Sequence, residues 1–178
     1  MIDWDAHAKM LTAASEAAVT AFFTEHDNTP LAAIGYWMCV GIGYVSPPPF
    51  AITANPRHFY EAELAKSKAT NPNFSDVQMR WDSGYFQYPA CIELDPDVAE
   101  MATMLNDLVG TGEVPGEEIS AGIINICCVA MAELAGKGLF GDPAKIDFVV
   151  QTANDGWYEN EMQHVRDRDA AIRAMIGP

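Results

Sequence analysis

Three side chains near the C-terminus have the types and spacing to hold a cation. Glu161, His164 and Asp167 follow one another at intervals of three residues. On a helix that spacing puts an imidazole and two carboxylates on one face, a donor set for a divalent ion and for a small metal-dependent hydrolase. His58 and Glu61 repeat part of the pattern. The plainer reading of both is a solvated helix face, since Arg166 and Arg168 stand among the acids of the first group. No two of the histidines (His7, His26, His58, His164) lie one helical turn apart, as a zincin requires. Cys39, Cys91, Cys127 and Cys128 form no Cys-x-x-Cys pair and sit in apolar settings. They read as small buried hydrophobes rather than nucleophiles, redox centres or zinc ligands. Gly41-x-Gly43 runs into Pro47-Pro48-Pro49, and Gly110-x-Gly112 is followed by Glu113, Glu117 and Glu118. Neither offers the third glycine and the helix start that a dinucleotide site needs. No P-loop and no Gly-x-Ser-x-Gly elbow is present. The motifs therefore nominate no catalytic residue, no metal and no cofactor, and favour a non-catalytic protein.

Charge discriminates better. Between Arg80 and Lys137 there is no lysine or arginine, while Asp82, Glu93, Asp95, Asp97, Glu100, Asp107, Glu113, Glu117, Glu118 and Glu133 accumulate. The whole chain carries a formal charge of −15 with a pI near 4.4. Such a surface repels nucleic acid and anionic membranes and attracts basic proteins. Glu93, Asp95, Asp97, Glu100, Glu113, Glu117 and Glu118 are the expected contacts. Beside Arg80, the aromatic group Trp81, Tyr85, Phe86 and Tyr88 could form a concave patch for a partner's anchor residue. Arg80, Trp81 and Tyr85 join the expected contacts on that ground. The same patch would be the interface if the chain were a homo-oligomeric scaffold, and a sheet face packed under a helix is the blander account.

These groups must be positioned by a fold, and 178 residues suit one domain spanning 1–178. A chain of that size buries roughly 70% of its unfolded surface, so its core needs no covalent staples. The N-terminus lacks a signal-peptide pattern, and no apolar stretch approaches the ~20 residues of a bilayer span; a cytoplasmic location is expected. Periodicity predicts a first helix from Trp4 to Phe23, and a strand over Leu31–Val45 whose Gly35, Gly41 and Gly43 suggest a bulge or a close backbone approach. The three prolines should force the chain out of the sheet or to its edge. A short strand over Phe50–Thr53 follows, then a helix to about Lys68 capped by Asn55 with Pro56 in its first turn. Asp76–Trp81 and Tyr85–Leu94 read as strands, and Asp95–Gly110 and Ile119–Leu134 as helices. Ile146–Thr152 reads as a strand, Asn154–Gly156 as a turn with Trp157 and Tyr158 a lid on the core, and Tyr158–Met175 as a helix. Strands that follow strands imply an α+β fold, with a mixed or mostly antiparallel sheet covered by about five helices.

Several of these segments together resemble an uncharacterised bacterial family, the domain-of-unknown-function family numbered 4303. The resemblance is carried by Ala33-Ile-Gly-Tyr-Trp, Thr53-x-Asn55, Arg80-Trp81 with Tyr88, Leu134-x-x-x-Gly138-Leu-Phe-Gly141, Phe148-Val-Val and Asp155. It spans residue 30 to the C-terminus, with Pro47-Pro48-Pro49 and Gly84-Tyr85 as departures. What it implies is a compact α+β domain. By analogy with small acidic bacterial domains of this kind, it also implies an immunity protein that neutralises a basic toxin.

Overall fold

The computed structural model describes residues 2–41, 44–93, 96–152, 155 and 162–177, with the backbone alone at 39–41, 44–49 and 89–93. The fold is α+β, as expected. The order is α1 (Trp4–Glu25), β1 (Leu31–Gly41), β2 (Tyr44–Pro56), α2 (Arg57–Thr70), α3 (Val77–Trp81), a 3-10 turn (Ser83–Tyr85) and β3 (Tyr88–Glu93). Then come α4 (Pro96–Thr111), α5 (Gly116–Gly136), a second 3-10 turn (Pro143–Lys145), β4 (Asp147–Thr152) and α6 (Gln163–Ile176). The described residues thus hold six α-helices around one mixed sheet of order β3-β2-β1-β4. β1 runs antiparallel to β2 and parallel to β4, and β2 runs antiparallel to β3.

Alternation along the strands sorts two cores onto the two faces of the sheet. Ile34, Tyr36 and Met38 of β1, with Phe50 and Ile52 of β2 and Phe148 and Val150 of β4, pack against α1, α4 and α5. Helical spacing supplies the matching stripes, Leu11, Val19 and Phe22 on α1, Val98, Met101 and Leu105 on α4, and Ile119, Ile123, Ile126 and Ala130 on α5. The odd-numbered face of β1 and β4 carries Ala33 and Val149, covered by Trp81, Phe86, Met162 and Val165. Tyr36 is buried at the centre and its hydroxyl lies 2.6 Å from Ser15 Oγ, fixing α1 to the sheet. Desolvation raises the Tyr36 pKa far above its ordinary value. Gly35 serves the close approach that its position suggested: a Cβ there would overlap the Val149 carbonyl across the parallel pair.

Other expectations are corrected. β1 stops at Gly41, and Val45 belongs to β2, which is far longer than a Phe50–Thr53 segment. Pairing shifts from Met38↔Phe50 to Val40↔Val45, so a single β1 residue, Cys39, faces the stretch 46–49 of β2. The prolines sit in that irregularity, where their missing N–H groups cost no ladder bonds, and the strand survives them. Asn55 does not cap α2. The residue before proline is driven to extended backbone, so Asn55 stays in the ladder opposite Ala33, and Pro56 occupies the cap position without a side-chain bond. Asp76–Trp81 is not a strand. Its alternating Val77, Met79 and Trp81 lie on a helix of five residues, too short for periodicity to separate from a strand. β3 begins at Tyr88 rather than Tyr85, because the Asp82 side chain accepts from the Gly84 amide and caps the 3-10 turn ahead of it. α4 runs through Gly110 and ends before Gly112, the residue with positive φ (+69°). α5, at 21 residues and a mean hydropathy of 1.8, is long and apolar enough to cross a membrane, contrary to expectation. Here 56% of its apolar window is buried in the core. Asn154, Gly156, Trp157 and Tyr158 lie outside the described residues.

Candidate functional site

The acidic stretch resolves into residues that make a surface and residues that do not. On α4, Asp97, Glu100, Met104, Asp107 and Thr111 follow a 3-4-3-4 spacing, which puts them in one stripe. The core stripe Val98, Met101, Ala102 and Leu105 turns away from it. Asp97, Glu100 and Asp107 are exposed, as is Glu113 in the connection to α5. Met104 stands among them 40% exposed, and a shallow groove of about 350 Å³ runs past Glu100, Met104, Asp107, Leu108 and Glu113. Glu117 and Glu118 are exposed in the first turn of α5. No side chain caps that helix, so the two carboxylates offset the positive end of its dipole as well as adding charge to the surface. Glu93 closes β3 and is described in its backbone alone; Asp95 lies outside the described residues. Asp82, the first acid of the stretch, is 1% exposed and belongs to the interior, where Oδ1 accepts from Gly84 N at 2.9 Å and Oδ2 has no partner among the described residues.

Arg80, Trp81 and Tyr85 do not join that surface. α3 and its following turn pack against the β4 side of the sheet, on the face opposite α1, α4 and α5. Trp81 and Phe86 are buried there, Tyr88 packs on Phe22 and His26 from the other side, and Tyr85 alone is exposed, at 48%. The aromatic group therefore forms parts of two cores rather than one concave patch. His164 and Asp167 are exposed on α6, Asp167 accepting from Gln163 Nε2 at 2.8 Å; Glu161 lies outside the described residues. Among the described residues no three His, Cys, Asp or Glu side chains gather as a metal-ligand set. Burial pushes the Cys128 thiol up to about 11 and Cys127 well above its ordinary value, so neither is a thiolate at neutral pH.

Sequence reasoning missed a second constellation altogether. Three arginines from α2, α3 and α6 converge on the segment Pro143–Asp147. Arg57 Nη2 donates to the carbonyls of Lys145 and, at 3.1 Å, of Leu31. Arg80 grips the Asp147 carboxylate through Nε at 2.5 Å and Nη2 at 2.9 Å while lying over the Trp81 ring. The bond to Asp147 raises the Arg80 pKa further. Arg173 Nη1 donates to Pro143 O at 2.9 Å and Nη2 to Ile146 O, and its Nε pairs with Asp169 at 2.7 Å. Asp169, 8% exposed, also accepts from Phe148 N at 2.9 Å. Below this cluster Tyr60 donates to Asp76 at 2.7 Å; burial first and that carboxylate second raise the phenol's pKa. Nothing in the spacing of Arg57, Arg80 and Arg173 announces this, because each partner is remote in sequence. Comparison with family models, with curated proteins and with solved structures returns no match to this chain.

Proposed function

We propose that the chain is a non-catalytic binding protein whose α4 face engages a basic protein partner. The observation that carries this reading is the exposed Met104 in a groove rimmed by Glu100, Asp107 and Glu113, on a helix with no basic residue. An apolar anchor point inside a ring of like charge suits a partner that brings a hydrophobic side chain surrounded by lysine or arginine. The charges steer encounter and the apolar contact holds the complex. Asp97, Glu100, Asp107 and Glu113 are the central contacts, with Glu93, Asp95, Glu117 and Glu118 flanking them. A basic bacterial toxin is the partner class suggested by analogy with small acidic bacterial domains that act as immunity proteins.

The test is affinity capture with the full chain at low and high salt, identification of a basic partner by mass spectrometry, and binding kinetics on the purified pair. The triple charge reversal Glu100→Lys, Asp107→Lys, Glu113→Lys should slow association by at least about tenfold at low salt and flatten its salt dependence. Met104→Ala should mainly speed dissociation. Kinetics unchanged in both variants would overturn the proposal.

A further inference from the structure

β4 is the last strand of the sheet among the described residues and pairs on one side only, with β1. On its other side, main-chain groups of alternate residues still need partners. α6 lies along that side: Ile172 belongs to the first core and Val165 to the second, so the helix straddles the end of the sheet.

Four main-chain groups, spaced two residues apart, are met there by side chains. Arg173 Nη2 donates to the Ile146 carbonyl, and Asp169 Oδ1 accepts from the Phe148 amide at 2.9 Å. Arg168 Nη1 donates to the Val150 carbonyl at 2.8 Å, and Asp155 Oδ2 accepts from the Thr152 amide at 2.6 Å. Each arginine is also bonded to its neighbouring acid. Arg173 Nε donates to Asp169 Oδ2 at 2.7 Å, and both terminal nitrogens of Arg168 donate to Asp155. Two Arg–Asp pairs thus present donor, acceptor, donor, acceptor along the strand, the alternation that a neighbouring strand would offer. Asp155 and Asp169 are buried. A buried ion pair is no more stabilising than the apolar contacts that could replace it, so what sets these two apart is their register with β4. The segment they cover, Phe148-Val-Val-Gln-Thr152, has no charge, proline or glycine. Such a segment pairs readily with its own copy when its edge is bare.

We propose that the pairs Arg168–Asp155 and Arg173–Asp169 lock α6 in the place of a fifth strand, and that the β4 edge they close takes the same edge of a second copy of this chain when the lock opens. Two β4 edges meeting antiparallel about a twofold axis join the two four-stranded sheets into one. This surface is independent of the α4 face, because α4 packs on β2.

The test is made in the full chain with the double variant Asp155→Asn, Arg168→Gln, which removes one pair, keeps the net charge and leaves no lone buried charge behind. Sedimentation over a concentration series should show it self-associating at least about tenfold more tightly than the parent chain. Its amides from Phe148 to Thr152 should exchange hydrogen faster than the parent's when dilute and regain protection when concentrated. Leu105→Ala, which opens a cavity on α4 away from β4, controls for lost stability and should associate no more than the parent. Should the double variant fail to fold, Arg168→Lys takes its place, since it keeps a cation beside Asp155 and gives up the forked grip on Val150. The proposal is overturned by a folded lock variant that associates no more tightly than the parent, by equal association in Leu105→Ala, or by exchange at Phe148–Thr152 that does not change with concentration.

Discussion

The two charged regions of this molecule are built on opposite rules. On α4 and the start of α5, like charges such as Glu100, Asp107, Glu113, Glu117 and Glu118 line an exposed surface; around Pro143–Asp147, opposite charges interlock at the edge of the sheet. The first arrangement contributes little to holding the fold and leaves its field available to a partner. The second ties α2, α3 and α6 to β4 and the segment leading into it, through the Asp147 carboxylate, the carbonyls of Pro143, Lys145 and Ile146, and Asp169 on the Phe148 amide. Charge count alone would rank the acidic face as the stronger electrostatic feature; the bonds that Arg80, Arg173 and Asp169 make reverse the ranking for stability.

That contrast breaks or sharpens most clearly at Asp169. Asp169→Ala leaves the buried Phe148 amide and Arg173 Nε without their acceptor, and should cost about 3 kcal/mol in urea unfolding. A loss under about 1 kcal/mol would erase the distinction between the regions. On the acidic side the largest stability effect belongs to the two residues that face a helix dipole. Glu117→Gln with Glu118→Gln should destabilise by up to about 1 kcal/mol. The triple neutralisation Glu100→Gln, Asp107→Asn, Glu113→Gln should shift stability by no more than about 0.5 kcal/mol, towards greater stability at low salt as self-repulsion falls. Triple loss exceeding that of the α5 pair would mean that the α4 acids have structural partners.

The smallest effect is a titration. Asp142 is held below the usual carboxylate range, first by its bond to Lys145 and then by the Ala144 amide. Its folded pKa is depressed, so its contribution is present above the unfolded carboxylate value and is lost as pH falls through the folded value. In Lys145→Gln the Asp142 carboxyl resonance should titrate at higher pH than in the parent chain. An unmoved midpoint would leave the amide as the sole cause.

What the sequence revealed follows the range of the interactions concerned. α1, α4, α5 and β4 were legible because their apolar residues recur at the period of the element that buries them, and the α+β class follows from their order. The acids of α4 were legible as charge, but not as one stripe with Met104, whose exposure follows from how the core residues Val98, Met101 and Leu105 seat the helix on the sheet. Local competition hid other pieces. Val77, Met79 and Trp81 alternate like a strand and fold as one helical turn; Asn55 has a capping side chain, but the proline after it demands extended backbone. The concave patch expected of Trp81, Tyr85, Phe86 and Tyr88 beside Arg80 failed because the sheet intervenes: Trp81 and Phe86 pack on one face and Tyr88 on the other. The arginine cluster was beyond reach, since Arg57 meets Lys145 and Arg80 meets Asp147 only once β4 lies beside β1.

That pairing of β1 with β4 also sets the order in which the fold can assemble. β1 is made well before its parallel neighbour, with Ile34, Tyr36 and Met38 already committed to one face, because β2, α2, α3, β3, α4 and α5 all come between it and β4. Until Asp147–Thr152 emerges, one edge of β1 has open amides and carbonyls, and Val149 is missing from the second core. Contacts so distant along the chain slow the final step of folding. Throughout that interval the nascent chain has that edge open to strand exchange with a second copy or to a chaperone.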